Sequence, residues 1–227
     1  MPERPFNESA TEEQLKAIAA QFRKPEGEAG AEIAKYMNQG NHKINEYALE
    51  VLNLNHNDKI LEIGMGNGFF VNQIVRSDNL VNYCGCDFSD LMVAHASENN
   101  RSLIDEGRVE FVTADAGNMP YGDNVFNCVL TVNTLYFWDP PEKVFAEIRR
   151  VLKPGGKLVL AIRPRAMMEE IPITRFGFKL FTLDDLSKLL SDNHFAVKSI
   201  EEKYEPDQLN NGEGERLATL LAVAIAE

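Results

Sequence analysis

The sequence predicts an α/β fold with a mostly parallel sheet, preceded by a helical section. Three observations carry this. From residue 58 onward, short apolar runs alternate with helical patterns. The first run ends in a glycine-rich segment, and each of the next two ends in a carboxylate. The tail then changes texture to one amphipathic helix and two strand-like runs joined by a polar loop. Strands separated by helices imply right-handed βαβ crossovers and hence parallel pairing.

The first 57 residues read as a helical extension, with a polar, proline-bearing start over 1–8. Thr11-Glu12-Glu13-Gln14 has capping-box form, and Leu15, Ile18, Ala19 and Phe22 follow at helical spacing. Arg23-Lys24-Pro25-Glu26-Gly27 breaks that helix, and a second is expected over about 28–37. Asn38-Gln39-Gly40-Asn41 reads as a turn, with His42 in the loop before a third helix that carries Ile44, Tyr47, Ala48, Val51 and Leu52 on one face.

Residues 58–227 form the second unit. Its strands are expected at 59–63, 81–86, 109–113, 125–132 and 157–162, with helices near 69–76, 90–103 and 140–152. Thr182 is the expected N-cap of a helix over 183–190. Residues 196–204 alternate as a strand, 205–215 form a polar loop, and 217–226 could be helix or strand. Strand is favoured, because the loop supplies an antiparallel partner.

Composition narrows the function. At 227 residues and 44% apolar, the chain suits one well-buried domain. A net charge of −12 leaves no basic footprint for nucleic acid and favours a small-molecule or protein partner. Cys84, Cys86 and Cys128 make a poor disulfide framework and no zinc spacing, so no metal is expected. No signal peptide or membrane-length apolar run is present, which points to a cytoplasmic protein; either a monomer or a homodimer is compatible with the sequence.

In an open parallel sheet, ligands bind beyond the carboxyl ends of the strands. The first strand ends in Glu62-Ile63-Gly64-Met65-Gly66-Asn67-Gly68. Glycine there allows a sharp turn and close approach of a ligand to the backbone, and the following helix offers unpaired N–H groups. A dinucleotide fingerprint would place a third glycine where Phe69 stands, so a pyrophosphate site is disfavoured. Asp87 ends the second strand, where a carboxylate can accept from ribose hydroxyls or cap the next helix. Asp115-Ala116 follows the third strand, and an acid there can accept from an adenine amine. Asn133-Thr134-Leu135-Tyr136-Phe137-Trp138 follows the fourth, and suits either a pocket wall or a packing face.

These motifs resemble the class I S-adenosylmethionine-dependent methyltransferases over residues 58–163. Ile60 through Gly68 is similar to that family's E/D-x-G-x-G-x-G motif, Asp87 to its ribose acid and Asp115-Ala116 to its adenine motif. Leu152-Lys153-Pro154-Gly155-Gly156-Lys157-Leu158 is similar to its turn into the fifth strand. The resemblance implies a Rossmann-like three-layer sandwich with a seven-stranded sheet in the order 3-2-1-4-5-7-6 and an antiparallel last strand. It implies S-adenosyl-L-methionine as cofactor, held by Glu62, Gly64, Met65, Gly66, Asn67, Gly68, Asp87, Phe88, Asp115, Ala116 and Asn133. Tyr36 and Asn41 are candidates for its amino-acid end. Asn133-Thr134-Leu135-Tyr136 departs from the Asp/Asn-Pro-Pro-Tyr/Phe motif of enzymes that methylate base or glutamine nitrogens. The pattern is closest to the small-molecule branch (the type 11 methyltransferase domain), which includes quinone-biosynthesis enzymes.

Methyl transfer from a sulfonium is an in-line displacement in which the protein positions the reactants and excludes water. A general base is needed only if the acceptor keeps its proton near neutral pH. No catalytic dyad or triad stands out; His42, Tyr136 and Glu169 are the candidates for a catalytic role in contact with the acceptor, and the segment 163–172, with Met167 and Met168, is a candidate pocket wall or a plain surface loop. Two alternatives remain: a nicotinamide-dependent oxidoreductase on a similar sheet, and a non-catalytic S-adenosylmethionine-binding protein.

Overall fold

The computed structural model describes residues 5, 9–76, 81–209 and 216–227, with the side chains of 206–209 and 216 excepted. Most of the expected N-terminal tail and of the hairpin loop lies outside the described residues. Helix α1 (Glu12–Arg23) starts as a capping box: the Gln14 N–H donates to the Thr11 hydroxyl, and the Thr11 N–H donates to the Gln14 side chain. Helix α2 (Gly27–Gly40) runs straight into α3 (His42–Leu52), so the expected turn at 38–41 shrinks to one residue. Asn41 explains this. Its N–H donates to Met37 O as α2 ends, and its carbonyl accepts from the Asn45 N–H as α3 begins. His42 is therefore the first residue of α3, not a loop residue.

Alternation follows: β1 (Lys59–Ile63), α4 (Val71–Val75), β2 (Asn82–Asp87), α5 (Asp90–Asn99), α6 (Arg101–Asp105), β3 (Val109–Thr113) and β4 (Phe126–Val132). The single helix expected over 90–103 divides at Asn100, whose side-chain amide donates to Ala96 O and to Gly68 O, both at 3.0 Å. A 3-10 turn (Leu135–Phe137) leads to α7 (Pro141–Val151) and β5 (Leu152–Ile162). The Pro154-Gly155-Gly156 turn sits inside β5 rather than before it. Leu152 already pairs with Phe126, and pairing resumes at Lys157 with Cys128 after the bulge. Helix α8 (Arg165–Met168), α9 (Leu183–Asp192) capped by Thr182, β6 (Phe195–Leu209) and β7 (Arg216–Ala226) complete the chain. Strand β6 runs past the expected end at 204 because Glu205 is buried in an ion pair rather than solvated in a loop.

The sheet has seven strands in the order β3-β2-β1-β4-β5-β7-β6, and β7 is antiparallel to both neighbours. Period-two alternation sorts each strand between two cores. On β1, Leu61 and Ile63 point into the core layer that also holds Val144, Phe145 and Ile148 of α7 and, farther along the sheet, Leu186 and Leu190 of α9. Ile60 faces the other side, with Ile44, Ala48 and Leu52 of α3 and Val71, Ile74 and Val75 of α4. Helix α3 thus fills a core layer, whereas α1 and α2 pack over the loop end of the sheet. Among the described residues, no helix is long and apolar enough to cross a membrane.

Candidate functional site

The carboxyl ends of β1, β2, β3 and β4 open into a cavity of about 290 Å³, closed on the other side by residues of α1 and α2. The glycine loop forms its floor. The Gly64 N–H donates to Cys86 O at 2.7 Å and so carries the β1–β2 pairing past the strand. Gly66 then turns at φ +58°, and a Cβ added there would meet nothing within 4 Å. That open space is the cavity itself, so a side chain at 66 would project into it from a strained backbone. Met65 and Asn67 line the same wall, but Gly68 does not. A Cβ at 68 would stand 2.7 Å from Asn100 Nδ2 and 3.0 Å from the Ala96 Cβ, so this glycine serves helix packing. Phe69 is half exposed beside it.

Four carboxylates line the cavity: Asp139, paired with the Lys179 ammonium at 2.8 Å, and three that reach it from strand ends by different routes. Asp87, at the end of β2, accepts from the Gly66 N–H at 3.0 Å and from the Ser89 N–H at 2.9 Å. Burial pushes its pKa up, and these backbone hydrogen bonds oppose the rise. Glu62 is buried at the end of β1 and accepts from the Tyr83 hydroxyl at 2.6 Å. Burial pushes it up to about 7, with the Tyr83 hydrogen bond opposing and the Asp87 charge adding. Asp115 lies in a tight turn after β3, accepts from the Gly117 N–H at 2.8 Å, and stands 3.8 Å from the Lys143 ammonium. Ala116 lines the wall beside it, and Phe88 lines the rim, where the Lys24 ammonium lies 5.1 Å from its ring centre.

The segment after β4 supplies the fourth wall. Asn133 is left-handed at φ +57°, and its N–H donates to Ala161 O. Its side chain lies in the cavity wall and donates to Asn41 Oδ1 at 3.0 Å. Asn41 lines the cavity as well, but Tyr36 does not: its ring packs edge-on to Phe22.

The candidates for acceptor contact lie elsewhere. His42 is exposed and pairs with Glu46 at 3.1 Å, one helical turn away and off the cavity lining. Tyr136 is buried behind the wall, with its hydroxyl accepting from the Arg163 N–H at 2.5 Å. Glu169 is exposed to solvent, away from the lining. No residue of 163–172 lines the cavity, because Met168 and Ile171 pack into the core under α9.

Thr134 lines the cavity, within the segment after the fourth strand that suits a pocket wall, and so do Phe22, Met37, Asn38, Asn45 and Lys143, which carry no motif that assigns them to a site. For Phe22 the signal existed, since it ends the apolar stripe of α1. For Lys143, on the exposed face of α7, nothing local marks it.

The comparisons agree with this geometry. The family model described as "Methyltransferase domain" matches residues 61–160. The "Uncharacterized methyltransferase YdaC" of Bacillus subtilis (strain 168) is 30% identical over 134 residues, covering 59% of this chain and 72% of that protein. A demethylmenaquinone methyltransferase of Clavibacter sepedonicus is 32% identical over 156 residues, covering 66% of this chain and 60% of that protein. A chain in the solved complex of the Haloferax volcanii Trm112 methyltransferase activator shares the fold, with a TM-score of 0.76 at 19% identity over 92% of this chain and 97% of that one. Motif order, sheet order and relatives converge, and the chain belongs to the class I S-adenosylmethionine-dependent methyltransferases.

Proposed function

We propose that this chain transfers the S-methyl group of S-adenosyl-L-methionine to a small, largely apolar acceptor of the quinol type. The observation that carries the reading is the composition of one cavity. It joins the glycine loop, Asp87 and Asp115 to a wall of Phe22, Met37, Phe137 and Trp138. The residues fit the cofactor: the space beside Gly66 is where a Cβ would intrude, and the cavity's polar groups sit at successive strand ends. In this reading Asp87 accepts from the ribose hydroxyls, the Asp115-Ala116 turn meets the adenine edge, and Asn41 and Asn133 lie toward the amino-acid end. Gly64, Met65 and Asn67 give the backbone that the cofactor lies against. Glu62, a buried carboxylate without a cation, suits the cofactor's ammonium group.

When bound, the cofactor supplies an activated methyl group. The chain binds, orients and excludes water, and α1 and α2, within the extension before residue 58, serve as the cover. Among the described residues, no histidine or tyrosine is part of the cavity lining, and the Cys86 thiol is held well above its ordinary range by burial. An acceptor that is nucleophilic on its own, such as an electron-rich quinol carbon, fits such a wall better than an alcohol that needs a base. The Clavibacter relative, by its name, acts on a demethylmenaquinone, which agrees in class. Three buried, free cysteines suit a reducing, cytoplasmic setting.

The test is turnover with methyl-labelled S-adenosylmethionine and a chemically reduced demethylated naphthoquinone. Label in the organic extract, matched by S-adenosylhomocysteine in the aqueous phase, is the expected result. Label recovered only in polar amines or in protein would overturn the acceptor class. Binding of S-adenosylhomocysteine without turnover on any acceptor would favour a non-catalytic binder.

A further inference from the structure

A chain of hydrogen bonds with a fixed direction ends at the cavity. The Arg163 N–H donates to the Tyr136 hydroxyl at 2.5 Å and fills one acceptor position of that buried group. The hydroxyl proton is then directed to Asn133 Oδ1 at 3.0 Å; the competing Arg163 carbonyl is farther, at 3.3 Å. An asparagine amide that accepts on its oxygen presents its Nδ2 on the other side. Asn133 Nδ2 donates to Asn41 Oδ1 at 3.0 Å. What remains is Asn41 Nδ2, a donor on a residue of the cavity wall, and no hydrogen bond to a described group uses it. The same junction is held from a second direction. The buried Arg163 guanidinium pairs with Glu205 at 2.5 Å and donates to Gly40 O at 3.2 Å, one residue before Asn41.

We infer that Tyr136 and Arg163 are positioning residues that orient the Asn41 amide as a donor toward a ligand carboxylate, so that the site favours ligands bearing the cofactor's amino-acid tail over those lacking it. The inference rests on the cofactor reading above. Without Tyr136's hydroxyl, no other hydrogen bond among the described residues distinguishes the two orientations of the Asn133 amide. In the flipped orientation, Asn133 Oδ1 would face Asn41 and draw the Asn41 amide round with it. The ligand would then meet a carbonyl oxygen where it needs an N–H.

The experiment compares S-adenosylhomocysteine, which keeps the tail, with methylthioadenosine, which lacks it, by calorimetry on the full chain. Tyr136→Phe should weaken the first about fivefold, the scale of one neutral hydrogen bond, and leave the second unchanged. Asn41→Asp should weaken the first by about thirtyfold or more, since it removes the donor and sets carboxylate against carboxylate, again sparing the second. A general loosening of the fold would lower both affinities together, so equal losses would overturn the inference, as would no loss at all. If Tyr136→Phe does not fold, the Asn41→Asp ratio decides alone, because Asn41 is partly exposed and outside the apolar core. If the unaltered chain binds neither ligand, the cofactor reading itself has failed and the orienting chain falls with it.

Discussion

The two sides of the cavity are built in different ways. On the sheet side, Gly64, Gly66, Asp87 and Asp115 each stand within a few residues of a strand end. Asp87 is fixed by the N–H groups of its near neighbour Ser89 and of Gly66 in the loop after the adjoining strand. On the helical side, Asn41 meets Asn133 from 92 positions away, and Gly40 meets the Arg163 side chain from 123. The first side follows from local pattern and strand order. The second exists only once the fold has closed. A ligand gripped between them couples a preformed floor to a cover whose placement depends on long-range contacts, and the floor should dominate affinity.

Substitutions can break or sharpen that contrast. The largest effect is expected on the floor. Gly66→Val should abolish measurable cofactor binding, a loss of about 3 kcal/mol or more, because the side chain fills ligand space. It should also cost about 1–2 kcal/mol of fold stability, because valine resists a positive φ. Titration calorimetry beside thermal unfolding separates the two, and retained affinity would remove the ligand from the glycine loop.

Next comes Glu62. Its carboxyl is raised from 4.5 to about 7 by burial, so the folded chain holds the proton where the unfolded chain has lost it. This contribution to stability is fully present below the unfolded value of 4.5 and is lost as pH rises through about 7. Across that window the ligand-free chain should lose on the order of 3 kcal/mol on this account. Glu62→Gln should flatten the decline. Denaturant unfolding between pH 5 and 8, with parallel profiles for the two chains, would contradict this.

Asp87→Ala should weaken cofactor binding by about 1–3 kcal/mol, the cost of losing charged hydrogen bonds. An unchanged dissociation constant would move the ribose away from β2. The smallest effect belongs to the cover: the selective, about fivefold change for Tyr136→Phe. If that substitution proved as damaging as Gly66→Val, the contrast between floor and cover would collapse.

The same division decides what was legible in the sequence. Glu62 through Gly68, Asp87 and Asp115 are marked by their places at the ends of short apolar runs, and such runs also predict β1 to β5; β6 is marked by alternation, and β7 by the polar loop that supplies its antiparallel partner. The helix break at Asn100 was hidden because it depends on a bond to Gly68 across the fold. The continuous run of α2 into α3 was hidden because Asn41 caps both, and asparagine there reads equally as a turn. Tyr136 drew attention as a polar aromatic near the site. Its burial and its bond to the Arg163 N–H turn it from a candidate for acceptor contact into a support for Asn133. Arg163 and Glu205, 42 positions apart, carried no local mark of their pairing.

The central claim is that the floor holds an adenosine sulfonium and not a dinucleotide. Calorimetry of the unaltered chain with S-adenosylhomocysteine and with NAD tests it most directly. One-to-one, micromolar binding of S-adenosylhomocysteine and no heat with NAD are expected; micromolar binding of NAD with none of S-adenosylhomocysteine would contradict this.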